Sequence, residues 1–379
     1  MFRENQATEG ETMKIVLTGG CTGGHIYPAL AIGDKFKEKD PDCEIIYIGH
    51  QWGMETTIVP NAGYDLKLVE ADWLRRDNIA RMAKTLHNTN KGAIQARKIM
   101  QEFKPDVVVS TGSFVSVPVV LAAIFLKIPF YMHEQNGFPG VSNRSFAKNA
   151  KRVFLGFESA RQYFKDKDKV IYSGNPVRKD FNNRDKMTDR KAQNIPEDDF
   201  VITVFGGSLG SDTTNQIGMA LIGQYGGKEG YTIIFGTGKD YYDEVMAIAN
   251  SKGYDKFDNV KINPYISNMP EVMSASDLLV SRSGALSVAE VTMAGKAAIF
   301  VPSPNVTADH QYYNAKAVAD NGGAVIVREN DDTAKTILEE VIKLDNNRDA
   351  LKQMEVASSK LAPTEAADII YNTIMETYK

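Results

Sequence analysis

The length of 379 residues suits about two globular domains, and 43% hydrophobic with 24% charged side chains is ordinary for a water-soluble fold. A net charge of −4 gives no global pull toward nucleic acid or anionic lipid, so no nucleic-acid partner is expected and any basic surface has to be local. Two cysteines, Cys21 and Cys43, leave no disulfide framework, and no apolar run reaches the roughly 20 residues that span a bilayer.

Residues 1–12 are polar and acidic and read as a frayed tail rather than a signal peptide. From residue 13 the pattern alternates. Strands are expected at Lys14–Thr18, Glu44–Ile48, Leu66–Val69, Val107–Ser110, Phe130–His133, Arg152–Leu155 and Val170–Ser173. Helical patterns fall between them at Pro28–Lys39, Ile79–Phe103, Val115–Leu126 and Gly140–Lys148. Such alternation predicts a parallel sheet covered by helices, a Rossmann-like α/β domain over 13–174. Ligands bind at the carboxyl ends of the strands in such sheets. The stretches Gly19–His25, Thr111–Ser113, His133–Asn136 and Gly174–Asn175 all follow strands and converge on that edge.

Residues 175–199 carry two prolines and many charges with little apolar content, and read as an inter-domain linker. Just upstream, Asp166 and Asp168 have the spacing of a metal motif, but their lysine neighbours make a solvated turn the better reading. The pattern restarts with strand Phe200–Phe205, a glycine loop at 206–211 and a helix to about Gly223, opening a second Rossmann-like domain over 200–362. Further strands are expected at Thr232–Phe235, Val260–Ile262, Leu278–Ser281, Ala298–Val301 and Ala324–Val327. Helical segments Ala334–Leu344, Asp349–Leu361 and Glu365–Tyr378 close the chain, with 363–379 a candidate to pack back on the first domain.

Chemistry concentrates in the loops. Gly19-Gly20-Cys21-Thr22-Gly23-Gly24-His25 links a buried strand to a helix, where backbone N–H groups and the helix dipole favour an anion. His25 ends that loop with a side chain suited to proton transfer near neutral pH. In the second half, Ser283-Gly284-Ala285-Leu286-Ser287-Val288-Ala289-Glu290 opens another helix N-terminus suited to a diphosphate, and Glu290 one turn later can accept from two ribose hydroxyls. Gln311 and Asn314 carry amides able to read sugar hydroxyls as donor and acceptor. His133-Glu134-Gln135-Asn136 at a strand end reads as a ligand site, because four such side chains are costly to bury unpaired. There is no Walker phosphate loop and no His-Glu-X-X-His zinc helix.

Six ordered motifs carry a resemblance: Gly20 to His25 with Pro28-Ala29-Leu30-Ala31, His133 to Asn136, Gly174-Asn175-Pro176-Val177-Arg178, Gly206-Gly207-Ser208-X-Gly210, Ser283-Gly284-Ala285 with Glu290, and Asp309-His310-Gln311-X-X-Asn314. From Met13 onward the chain resembles the bacterial undecaprenyldiphospho-muramoylpentapeptide β-N-acetylglucosaminyltransferases. The resemblance implies the GT-B fold, two Rossmann-like domains facing across a cleft. It also implies metal-independent, inverting transfer of N-acetylglucosamine from UDP-N-acetylglucosamine to a lipid-linked muramoyl-pentapeptide, on the cytoplasmic face of the membrane in peptidoglycan synthesis, with no cofactor.

Carried over by motif, the binding positions are Thr22, Gly23, Gly24, Asn136, Arg178, Ser208, Ile266, Ala285, Leu286, Ser287, Val288, Ala289, Glu290, Gln311 and Asn314. His25 is the candidate base, and Glu134 the candidate for orienting the acceptor. The family usually has Gly-Gly-Tyr/Phe-Val-Ser-Gly-Pro where this chain reads Gly112-Ser113-Phe114-Val115-Ser116-Val117-Pro118, and Cys21 stands where the family has a smaller residue. Rival readings are another lipid glycosyltransferase, a UDP-sugar epimerase, or a non-catalytic UDP-sugar binder.

A membrane-anchored acceptor calls for a docking surface. Residues 73–100 hold seven basic side chains against one acid, with Trp73 and Met82 nearby, so the Trp73–Met82 region is expected to meet anionic lipid. The competing expectation places an apolar stripe of Ile79, Met82, Leu86, Ala93 and Ile94 against the sheet.

Overall fold

The computed structural model describes residues 12–73, 78–207 and 209–378, and for Ile79, Ala80 and Thr307 the backbone alone. The expected tail, up to residue 11, lies outside the described residues, as do Leu74, Arg75, Arg76, Asp77 and Ser208. The chain folds as two units, one made of 1–177 with 365–379 and the other of 178–364.

The first unit is organised by β1 (Lys14–Thr18), whose apolar run lies between two parallel neighbours. It continues through α1 (Gly23–Lys39), β2 (Glu44–Gly49), α2 (Glu55–Asn61), β3 (Asp65–Leu68), α3 (Ile79–Phe103), β4 (Val107–Ser110), α4 (Ser116–Leu126), β5 (Phe130–Glu134), α5 (Val141–Phe146), β6 (Val153–Leu155) and β7 (Val170–Tyr172). Among the described residues the strands form a seven-stranded sheet in the order β3-β2-β1-β4-β5-β6-β7, and the registered pairs are parallel. Successive strand residues face opposite sides. Ile15, Leu17, Val107 and Val109 therefore pack under α1, while Val16, Val108 and Met132 pack under α3 and α4. Burial on both faces explains why these strands read as continuous apolar runs.

The second unit runs through α6 (Lys186–Ala192), β8 (Phe200–Phe205), α7 (Asp212–Tyr225), β9 (Tyr231–Gly236), α8 (Tyr242–Ser251), β10 (Val260–Asn263), α9 (Met269–Ala275), β11 (Leu278–Ser281), α10 (Ala285–Met293), β12 (Ala297–Phe300), α11 (His310–Ala319), β13 (Ala324–Ile326), α12 (Thr333–Asp345) and α13 (Arg348–Ser359). Among the described residues its strands form a parallel six-stranded sheet in the order β10-β9-β8-β11-β12-β13. Two Rossmann-like parallel-sheet domains are thus the fold class.

Residues 175–199 differ from the linker expectation. From Arg178 they belong to the second unit, and α6 is fixed there by buried polar bonds. The Arg190 guanidinium, almost fully buried, donates to Ala275 O at 3.0 Å and to Asp277 Oδ2 at 2.7 Å. Asp277 also accepts the Val201 N–H at 2.7 Å and pairs with Lys186. The chain then returns to the first unit as α14 (Ala366–Tyr378). Tyr371 meets the Phe36 ring edge-on at 4.9 Å, Lys35 pairs with Asp368 at 2.9 Å, and the Tyr131 and Thr377 hydroxyls lie 2.8 Å apart.

The buried face of α3 consists of Thr85, Gly92, Ala96 and Met100. Leu86 and Ile94, expected on the sheet side, are 55% and 70% exposed, and Met82 is exposed as well. Small residues face inward because the backbone comes close; a Cβ on Gly92 would sit 1.7 Å from Glu70 O.

Candidate active site

In the first unit the loops after β1, β4, β5 and β7 meet at the carboxyl edge of the sheet. Thr22 is the N-cap of α1, its hydroxyl makes no cap bond, and no acid occupies the first turn. The leading N–H groups of α1 at Gly23 and Gly24 therefore face outward as anion donors. Cys21 sits at φ 73 and Ser113 at φ 73, so two of the three departures from the family pattern fall at left-handed positions that favour glycine, while the third, Val117, lies in α4. Burial first, then the Glu55 charge, pushes the Cys21 thiol up, which keeps it protonated and a poor nucleophile.

His25 is clamped twice by Thr111. Its Nδ1 lies 2.8 Å from Thr111 O, and the Thr111 hydroxyl donates to His25 O at 2.6 Å. A carbonyl only accepts, so in the neutral ring the proton sits on Nδ1 and Nε2 keeps a lone pair. The half-buried ring thus carries a base at a sheet edge, with its tautomer set by the backbone.

The cluster after β5 is built differently from the expectation. His133, Glu134 and Gln135 are fully buried. Glu134 accepts from Asn136 N at 3.0 Å, Asn136 Nδ2 at 3.2 Å, Gly140 N at 2.9 Å and Asn143 Nδ2 at 2.9 Å. With these four donors it shapes the 136–140 loop. Asn143 in turn abuts Gly112, where an added Cβ would lie 3.1 Å from its amide. Asn175 Nδ2 donates to Gln135 O at 3.0 Å, joining the loops after β5 and β7.

The His133 ring is held neutral. Nε2 donates to Gly174 O at 3.1 Å, and Nδ1 accepts from Gln135 Nε2 at 3.1 Å. Burial, the largest cause, lowers its pKa from 6.5 to about 4; the Gly174 bond opposes this and the His25 charge adds to it. The unfolded chain takes up the proton first, so stability falls as pH drops from 6.5 toward about 4, by about 3 kcal/mol in all. Urea unfolding of wild type and His133→Gln across that range checks this, with the variant expected to lose less of its own stability on acidification.

In the second unit the loop after β8 passes close to β9: a Cβ on Gly210, at φ 75, would lie 2.1 Å from Thr237 O. Ser208, the expected contact here, lies outside the described residues. Ser211 caps α7, its hydroxyl accepting from Thr214 N at 3.2 Å. Arg282 donates to Ser211 Oγ at 3.2 Å, Val301 O at 3.1 Å and Glu329 Oε2 at 2.5 Å, and Glu329 Oε1 accepts from Thr213 at 2.8 Å. These bonds fasten the turns after β8, β11, β12 and β13 to one another.

Gly284 caps α10 without a side-chain bond or an acid in the first turn, leaving the Leu286 and Ser287 N–H groups for an anion. The side chains of Ala285, Val288 and Ala289 are buried and set this helix against the sheet. Glu290, one turn on, is pushed up to about 7 by burial, which the Arg178 charge opposes and Asp180 reinforces. Arg178 pairs with Asp180 at 3.6 Å, so Arg178 and Glu290 belong to one charged group.

Gln311 Oε1 accepts the Ser303 N–H at 2.9 Å. Asn314 is fully buried and donates to Ser283 O at 3.2 Å, which anchors the Ser283–Gly284 turn. The Ile266 side chain is also in the core, against Val272 and Ala275, leaving only its backbone at the strand edge.

The glycosyltransferase family 28 N-terminal domain matches residues 15–155 and the family 28 C-terminal domain residues 201–370. A UDP-N-acetylglucosamine--N-acetylmuramyl-(pentapeptide) pyrophosphoryl-undecaprenol N-acetylglucosamine transferase of Lactococcus lactis subsp. lactis (strain IL1403) is 40% identical over 97% of this chain and 100% of its own length. The crystal structure of Acinetobacter baumannii MurG superposes with a TM-score of 0.74 at 27% identity, covering 96% of this chain and 99% of that one. A Neisseria meningitidis UDP-GlcNAc 2-epimerase bound to UDP-GlcNAc, at TM-score 0.70 and 16% identity over 96% of this chain and 100% of that one, is similar in fold alone.

Proposed function

Because the chain belongs to the family of UDP-N-acetylglucosamine--N-acetylmuramyl-(pentapeptide) pyrophosphoryl-undecaprenol N-acetylglucosamine transferases, we infer that it moves N-acetylglucosamine from UDP to a lipid-linked muramoyl-pentapeptide in peptidoglycan synthesis. The observation that carries this is the 40% identity along essentially the whole of both chains. His25 Nε2 takes the proton from the attacking hydroxyl of the acceptor. The hydroxyl oxygen bonds to the anomeric carbon as the bond to the UDP oxygen breaks, and UDP leaves. The open N–H groups at the start of α10 bind the diphosphate as its charge grows. Glu290 holds the ribose. UDP appears only when donor and acceptor are both supplied; interconversion of the UDP-sugar without acceptor, or no UDP with both present, overturns the reading.

The acceptor's lipid places the enzyme against the cytoplasmic face of the membrane, through the first unit. No described helix is long and apolar enough to cross a bilayer. The outward side of α3 and α4 supports peripheral docking: Leu86, Ile94 and Phe125 are 55%, 70% and 64% exposed, and the Arg97 guanidinium lies 4.2 Å from the Phe125 ring centroid. Basic residues near an anionic surface contribute about 1 kcal/mol each. Replacing Arg75, Arg76 and Arg81 by Glu is expected to weaken sedimentation with phosphatidylglycerol vesicles about tenfold or more; unchanged sedimentation contradicts this docking face.

A further inference from the structure

Glu55 opens α2, yet its carboxylate is fully buried and points away from that helix, under the first glycine loop. Oε2 accepts the Cys21 N–H at 2.9 Å and Oε1 accepts the His50 N–H at 3.0 Å. The chain makes room for it with glycine: a Cβ on Gly20 would lie 2.5 Å from Oε1, and one on Gly53 1.9 Å from Oε2. A second link runs between the same loops, from Met54 N to Cys21 O at 3.4 Å. On its other side the loop is tied by the Tyr47 hydroxyl, which donates to Gly19 O at 2.9 Å, and by Thr111 at His25.

We propose that Glu55 is a positioning residue for the transfer reaction, holding Cys21 in its left-handed conformation so that the Thr22–Gly24 amides and His25 are presented to the acceptor. This rests on the transferase reading above. A charged hydrogen bond is stronger than a neutral one, so an internal carboxylate can hold a strained residue that solvent or an amide would release. The pull is directional. With the Cys21 N–H committed inward, the turn sends the next amides outward, where an anionic or hydroxyl-bearing substrate can use them. A glutamine of the same size cannot replace it, because its NH2 would face one of the two N–H donors.

The test uses the full-length enzyme and two readouts. Glu55→Gln is expected to lower kcat/KM for a lipid-linked acceptor analogue about tenfold or more, while KM for UDP-N-acetylglucosamine stays within about twofold. Phe36→Leu, in the core near the far end of α1, serves as the stability control at matched Tm and is expected to keep acceptor kcat/KM within about twofold. The second readout needs no turnover: amide hydrogen exchange across 19–25 is expected to speed up about tenfold or more in Glu55→Gln, with peptides from α4 unchanged. Unaltered exchange in 19–25 overturns the proposal whether or not the wild type transfers sugar. So does acceptor kcat/KM that Glu55→Gln retains, or that Phe36→Leu loses equally. A wild type that fails to transfer sugar refutes the functional reading alone, and the exchange result then still decides the role of Glu55 in the loop.

Discussion

His25→Ala is expected to lower kcat about a hundredfold while UDP binding survives, in line with the 10²–10⁴-fold that a placed base contributes. The reason lies in the Thr111 clamp. The carbonyl at 2.8 Å fixes the proton on Nδ1, so Nε2 is available as a base without a tautomer shift. His25→Gln should behave like the alanine variant, since an amide accepts a hydrogen bond but takes no proton at neutral pH. Steady-state rates beside calorimetric titration with UDP separate the two effects. Near-normal turnover in His25→Ala removes the ring from the mechanism. Loss of UDP binding in step with turnover instead makes it a donor contact.

Glu290→Gln is expected to raise KM for the donor about tenfold to a hundredfold with a smaller change in kcat, because hydrogen bonds to a charged group contribute about 1.5–3 kcal/mol. A pH signature accompanies it. Burial raises the carboxyl to about 7, so the ionised acceptor that two ribose hydroxyls need is present above that pH and is lost below it. UDP affinity in wild type should therefore strengthen as pH rises through about 7 and should be flatter in Glu290→Gln. For stability the sign is opposite. A carboxyl raised in the folded state favours folding below its ordinary 4.5, and that contribution fades as pH rises through about 7. An affinity that does not change with pH in wild type shows that Glu290 does not accept from the ribose.

Much of this was readable from residue pattern. Strands β1, β4, β8 and β11 stand where the apolar runs Lys14–Thr18, Val107–Ser110, Phe200–Phe205 and Leu278–Ser281 end in turn residues. Buried parallel strands have no polar face to blur their limits. Charge misled in 175–199, which reads as a linker: Arg190 and Asp189 are both buried there, and Arg190 serves as a tether through Asp277. Periodicity misled in α3, where a backbone approach at Gly92 selects small residues for the inner face and leaves Leu86 and Ile94 outside. Glu134 and Asn314 were legible as important and illegible in role, because the sequence does not tell which donors a carboxylate or amide will meet. Glu55 gave no signal in the residue pattern; only the glycines folded around it mark its task.

Transfer is read most directly on the lipid product. After incubation with UDP-N-acetylglucosamine, the acceptor should gain the mass of one N-acetylhexosamine per UDP formed, and the new anomeric proton should show a β linkage by NMR. An α linkage, or UDP formed while the lipid keeps its mass, contradicts direct displacement assisted by His25.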